Sequence, residues 1–124
     1  MSQPLTLAGH VPLPAHTGNG GFDHAAVHAG SGHVELPAHT GNGGFDHAAV
    51  HAATGHVYVA HTANSAIDVF DPVAKKHLHS VPDLAAVAGA LVSDDSQLVF
   101  TSNLGDNTIG VFAPGPDPKV TKTR

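Results

Sequence analysis

The sequence predicts an all-β chain, and three observations carry that prediction. Turn residues recur at short intervals: Gly18-Asn19-Gly20-Gly21, Gly30-Ser31-Gly32, Gly41-Asn42-Gly43-Gly44, Thr54-Gly55, Ala63-Asn64-Ser65, Asp71-Pro72, Asp94-Asp95-Ser96 and Gly105-Asp106-Asn107. The runs between them are about five to eight residues long, the usual length of strands. Several runs alternate in polarity: Val57 and Val59 share one face of His56–His61, and Ile67 and Val69 flank Asp68. Period two over short runs is the strand signature. The apolar content is mostly Ala and Val, punctuated by 14 Gly and 9 Pro, a mixture that favours many short strands over long helices. Only Leu84–Val92 (LAAVAGALV) also reads as a short helix, because Ala and Leu favour one. Gly89 inside it and Pro82 before it weigh towards a buried strand.

Two repeats organise the chain. Residues 13–29 read LPAHTGNGGFDHAAVHA, and residues 36–52 repeat the same letters 23 positions later. Gly-His-Val stands at 9–11, 32–34 and 55–57. Such repeats bury a core only by stacking on one another. A longer period overlies the first. Ile67, Val69 and Phe70 return 42 residues on as Ile109, Val111 and Phe112, and Val57-Tyr58-Val59 is echoed 41 residues on by Leu98-Val99-Phe100. Asn64 is echoed by Asp106-Asn107. A period of about 40 to 45 with four strands per unit is the spacing of propeller blades.

These residues carry a resemblance. GHVYVAHTANSAIDVFDPVAKKHLHSV and QLVFTSNLGDNTIGVFAPG resemble the blade repeats of YVTN/NHL-type bacterial β-propellers. The shared core is Tyr58-Val59-Ala60-His61 and Phe100-Thr101-Ser102-Asn103, followed by the turn and strand Gly105-Asp106-Asn107-Thr108-Ile109. GFDHAAVH is similar to the innermost strand of such blades. The resemblance covers roughly residues 44–113 and implies an all-β fold of propeller-type four-stranded antiparallel blades.

On that reading the elements follow in order. An outer-type strand at His10–Pro14, an inner strand at Phe22–Ala29 and a partial strand at His33–Pro37 make a partial blade over 10–43, after an N-terminal extension at 1–9. A full blade occupies 44–83, with strands Phe45–Ala52, His56–Thr62, Ala66–Asp71 and His77–Val81. A three-stranded blade over 84–113 holds Ala85–Val92, Gln97–Ser102 and Thr108–Phe112. The tail 114–124 reads as an extended, solvated end. About two and a half blades fall short of the four to eight of a closed ring, so one chain is expected to form an incomplete ring with open edges. A neighbour's N-terminal strand is one candidate to complete the three-stranded blade, and the two identical copies make strand register ambiguous.

Composition narrows the function. With 41% hydrophobic and 12% charged residues the 124-residue chain is globular, not disordered. The formal charge is −5, and three of the five basic residues lie in the last six positions, so a nucleic-acid surface is not expected. No segment approaches the roughly 20 apolar residues of a membrane span. The N-terminus MSQPLTLAGHVPLP lacks a basic region and a continuous apolar run, so it does not read as a signal peptide, although relatives of this type are often periplasmic or secreted. Cysteine is absent, which excludes disulfides and thiolate metal sites and leaves the compartment open. Protonating all twelve His would move the formal charge from −5 to +7, so solubility and self-association should depend on pH between about 5 and 7.

The strongest chemical pattern is Asp23-His24-x-x-x-His28 and its twin Asp46-His47-x-x-x-His51. Residues i and i+4 of a strand share a face but sit roughly 13 Å apart, too far for one strand to chelate a metal. His24, His28, His47 and His51 from several inner strands would converge near a ring axis, between chains if need be, where imidazole suits Zn, Cu or Ni. The reading the sequence favours is that they line a wet channel or bond to backbone. No resident cofactor is expected, and adventitious divalent metal is the exception to test. Gly18–Gly21 and Gly41–Gly44 lack the Lys-Ser/Thr and helix of a phosphate loop, and Asn-Gly is a preferred tight-turn pair. No G-x-S-x-G elbow is present. Propeller lactonases hold an axial divalent ion with carboxylates and Asn, but here only Asp23 and Asp46 lie near the axis on the assigned strands. The residues therefore lean against an enzyme. They favour a self-associating structural or binding module completed by other copies of itself, ahead of a metal-dependent lactonase-like hydrolase or a strand-stacked fibre segment.

Overall fold

Residues 34 and 36–124 are described by a computed structural model of the chain. Among them eight strands form two antiparallel four-stranded sheets, each a simple meander. The first sheet runs β1 (Phe45–Val50), β2 (Val57–His61), β3 (Ala66–Asp71) and β4 (Lys76–Val81). The second runs β5 (Val87–Ser93), β6 (Leu98–Asn103), β7 (Thr108–Phe112) and β8 (Thr121–Thr123). The strands expected at His10–Pro14 and Phe22–Ala29 lie outside the described residues. Val34, Leu36 and Pro37, expected within a partial strand, are not in one.

Two further differences have local causes. Residues 84–92 are neither helix nor strand throughout: β5 begins at Val87, because Asp83 and Ala86 adopt φ of 63° and 46°, which interrupt extended pairing. The tail is exposed, as expected, but its end is an ordered strand. Thr121–Thr123 returns to pair with β7, through Val111↔Thr121 and Ile109↔Thr123, and supplies the fourth strand of the second sheet from the same chain. The edge that a neighbour's N-terminal strand was expected to complete is thereby filled.

The core lies between the sheets. Tyr58, Ala60, Ile67, Val69 and Val81 of the first sheet meet Leu84, Val87, Val99 and Phe112, all buried. Pairing shows why: directly opposed residues share a face, and Tyr58↔Val69 and Ala60↔Ile67 place these four together. Tyr58 and Phe112 bring their rings to 6.4 Å between centroids across the interface. Burial pushes the Tyr58 hydroxyl pKa above its ordinary value.

Strand register also corrects the longer repeat. Val57 pairs with Phe70, and Val99 pairs with Phe112, so Val57 corresponds to Val99 and the step is 42 throughout rather than 41 in β2. Backbone geometry repeats with it. Ser65 and Asn107, 42 apart, both close their hairpin with positive φ, 51° and 55°. The chain also enters both sheets alike. Ala63 N–H donates to Gly44 O (3.3 Å) in the first, and Leu104 N–H donates to Ala86 O (3.3 Å) in the second. Gly41 is obligatory at the first entry: a Cβ there would lie 2.7 Å from Ala63 O.

Candidate functional site

Two regions of the described residues stand out, one polar and one apolar. The polar one crosses the side of the first sheet that faces away from the second. Val59↔Asp68 and His61↔Ala66 put His61 and Asp68 on that face, one diagonal step apart across the β2–β3 hairpin. Both are buried, at 0% and 1% exposure. His61 Nδ1–H donates to Asp68 Oδ2 at 2.7 Å, and Ser80 Oγ–H donates to Asp68 Oδ1 at 2.6 Å. His77 Nε2 lies 3.1 Å from Ser80 Oγ. At the other end His39 Nδ1 lies 2.6 Å from His61 Nε2, so one of those two nitrogens carries the shared proton. Phe45 stacks on His61, with ring centroids 4.1 Å apart. Asn64 ties the incoming chain down, accepting from Thr40 N–H (2.7 Å) and donating to Ala38 O (2.9 Å). The result is a chain of hydrogen bonds from His39 to His77 whose central carboxylate is satisfied on both oxygens. Every group in it has a protein partner, which makes it a locking network for the sheet.

The apolar region is the outer face of the second sheet. Leu91↔Phe100, Phe100↔Val111 and Ser102↔Ile109 place these side chains on one face, away from the core. Leu91 is 60% exposed and Ile109 42%. Gly89 lies among them and donates its N–H to Ser102 Oγ (2.8 Å). A shallow hollow of about 350 Å³ opens here, lined by His47, Ala88, Leu91, Phe100 and Ile109. Contiguous apolar exposure of this kind marks an interaction surface more often than a neutral one.

The histidines singled out in the sequence divide. His24 and His28 lie outside the described residues. His47, on β1, has its Nδ1 beside both Asp46 and the carbonyl of Ala88 (3.2 Å). His51, just beyond β1, is buried with both nitrogens engaged, Nδ1 to Thr54 Oγ1 (2.8 Å) and Nε2 to Gln97 Oε1 (2.9 Å). The two therefore meet different elements, His47 the strand β5 at Ala88 and His51 the loops at Thr54 and Gln97. Among the described residues no group of three or more His, Asp or Glu is placed to hold a metal ion. Asp68 and Asn103 are both buried strand residues. Asn103 bonds Thr101 and Thr108 at the position 42 residues after His61.

A cavity of about 510 Å³ opens beside the core, lined by His51, His56, Tyr58, His79, Gln97 and Pro114. His79 Nε2 is buried there without a hydrogen-bond partner among the described residues. Burial lowers the His79 pKa below the ordinary histidine value, and positive charge on His77 and His56 lowers it further. The unfolded chain then takes up this proton first as pH falls below about 6.5, so the contribution is intact above that pH and is lost as pH drops through the folded value. Urea unfolding midpoints are expected to fall between pH 7.5 and pH 5, and His79→Gln is expected to narrow that gap; an unchanged gap would exclude His79 as a source.

Sequence reasoning missed His39, His61 and Asp68. The signal was present: a His and an Asp seven apart, bracketing a four-residue turn in two alternating strands, fall diagonally on one sheet face. No family model, curated protein or solved structure matches the chain, so its relationships rest on the two repeats and the two sheets themselves.

Proposed function

We propose that the chain is a self-associating module of β-propeller type, structural or binding in role, in which the two sheets are blades and further copies complete the open stack. The observation that carries this reading is the exposed apolar face of the second sheet, with Leu91 and Ile109 bare beside Phe100. An exposed apolar sheet face is stabilised by covering it, at about 25 cal/mol per Å² of apolar area removed from water. Blade identity is supported by the 42-residue structural repeat and by the meander order of both sheets.

The hydrolase alternative draws on His24, His28, His47 and His51, and no observation favours it; nor does any favour a resident Zn, Ni or Cu ion. The fibre alternative shares the exposed face and differs in whether association closes. Absolute mass by light scattering after size exclusion, at pH 8 with chelator, tests the proposal. A discrete multiple of 12.5 kDa is expected. A single-chain mass would overturn it, and a mass that grows with time and concentration would favour fibres.

A further inference from the structure

The register of the two sheets shows which face meets which, and that assigns the partner surface. Resting on the self-association proposed above, we infer that copies join head to tail, the outer face of the second sheet seating on the outer side of the next copy's first sheet. The 42-residue step relates the faces. Tyr58, Ala60, Ile67 and Val69, the first sheet's buried face, correspond to Phe100, Ser102, Ile109 and Val111, the exposed face of the second. Val99, Thr101, Gly110 and Phe112, the second sheet's buried face, correspond to Val57, Val59, Asp68 and Phe70 on the outer side of the first.

The interface inside the chain is therefore heterologous: a face of one kind packs on a face of the other kind. Each chain carries one further example of each. The Phe100 face, uncovered among the described residues, is of the kind that, as Tyr58, packs against Phe112. Its complement is the face on which Phe70 stands, and Val57 and Phe70 are only half-buried at their end of it, whereas His39 and Phe45 cover the His61 end. Phe100 of one copy thus takes towards Phe70 of the next the place that Tyr58 takes towards Phe112. A two-fold dimer through the second sheet would instead need a like-on-like contact, which the chain does not itself make between its sheets. Repetition of one heterologous contact gives a ring where the rotation per copy closes a full turn and an open filament where it does not.

Complementation between two variants tests this. Ile109→Glu spoils the second-sheet face and leaves the first intact; Phe70→Glu does the reverse, with Val57→Glu as a second variant of that side. Val73→Glu, on a residue 83% exposed in the β3–β4 turn, serves as control. Circular dichroism establishes that each variant is folded before its mass is read. Alone, the Ile109 and Phe70 variants are expected to fall to 12.5 kDa while the control keeps the wild-type mass. Mixed in equal amounts, they are expected to give a species of twice that mass, because one intact pair of unlike faces remains. A Phe70 variant that still associates alone, or an equimolar mixture that stays monomeric, would overturn head-to-tail joining. An Ile109 variant that keeps the wild-type mass would do the same while leaving self-association standing. A monomeric wild type removes both proposals.

Discussion

Asp68→Ala is expected to destabilise the folded chain by about 2–4 kcal/mol, because it removes the acceptor that two hydrogen bonds of the buried network share. The carboxylate is 1% exposed and accepts from His61 Nδ1 and Ser80 Oγ at 2.7 and 2.6 Å. Alanine strands the His61 donor where water does not reach, since His61, at 0% exposure, has only His39 left, while half-buried Ser80 keeps His77. Asp68→Asn keeps the volume and one acceptor oxygen, so its loss should be smaller. Urea denaturation followed by circular dichroism checks the order Ala, then Asn, then wild type. Equal stability of all three would show that the network does not lock the sheet.

Leu84→Ala should cost about 2–5 kcal/mol, the range for deleting a buried leucine. Leu84 is fully buried in the segment joining the sheets; its N–H donates to Ser65 O at 2.9 Å and its carbonyl accepts from Val87 N–H at 3.0 Å. A Cβ on Gly110 would lie 3.1 Å from Leu84 Cδ2, which shows how closely the side chain fills that hollow. The position is sensitive because Leu84 touches both halves. Its loss opens a cavity at the interface, so the m-value in urea is expected to fall as well if the sheets begin to unfold separately. A change below about 1 kcal/mol would mean that the site collapses around the smaller side chain.

Much of the fold was legible in the sequence. Turn residues delimited β1 to β7 to within two residues, because alternation and turn chemistry are local properties of the chain. The tail strand was not legible: Thr121–Thr123 is three residues long, follows a Pro-rich segment, and exists only because β7 offers it an open edge. The two-residue offset at the start of β5 has a similar cause. Ala86 takes positive φ, which nothing in its own side chain favours, where its N–H reaches Ser65 Oγ (3.1 Å) and its carbonyl accepts from Leu104.

The candidate site divides along the same line. Histidine count and the Asp-His-x-x-x-His pattern drew the eye to His47 and His51, but one-dimensional spacing carries no information about which loop each ring meets. His51 is held by Gln97, 46 residues away, and His39 by His61, 22 residues away. Strand content, turn positions and the repeat were thus determined by the sequence alone, since they depend on neighbours a few residues apart and on recurrence along the chain. Which faces meet, which polar groups are buried together and which apolar face is left bare were decided only by tertiary structure. A one-residue change of register moves every side chain to the opposite face. It was the pairing of Val57 with Phe70 and of Val99 with Phe112 that set the repeat at 42 and left Leu91, Phe100 and Ile109 on the uncovered side.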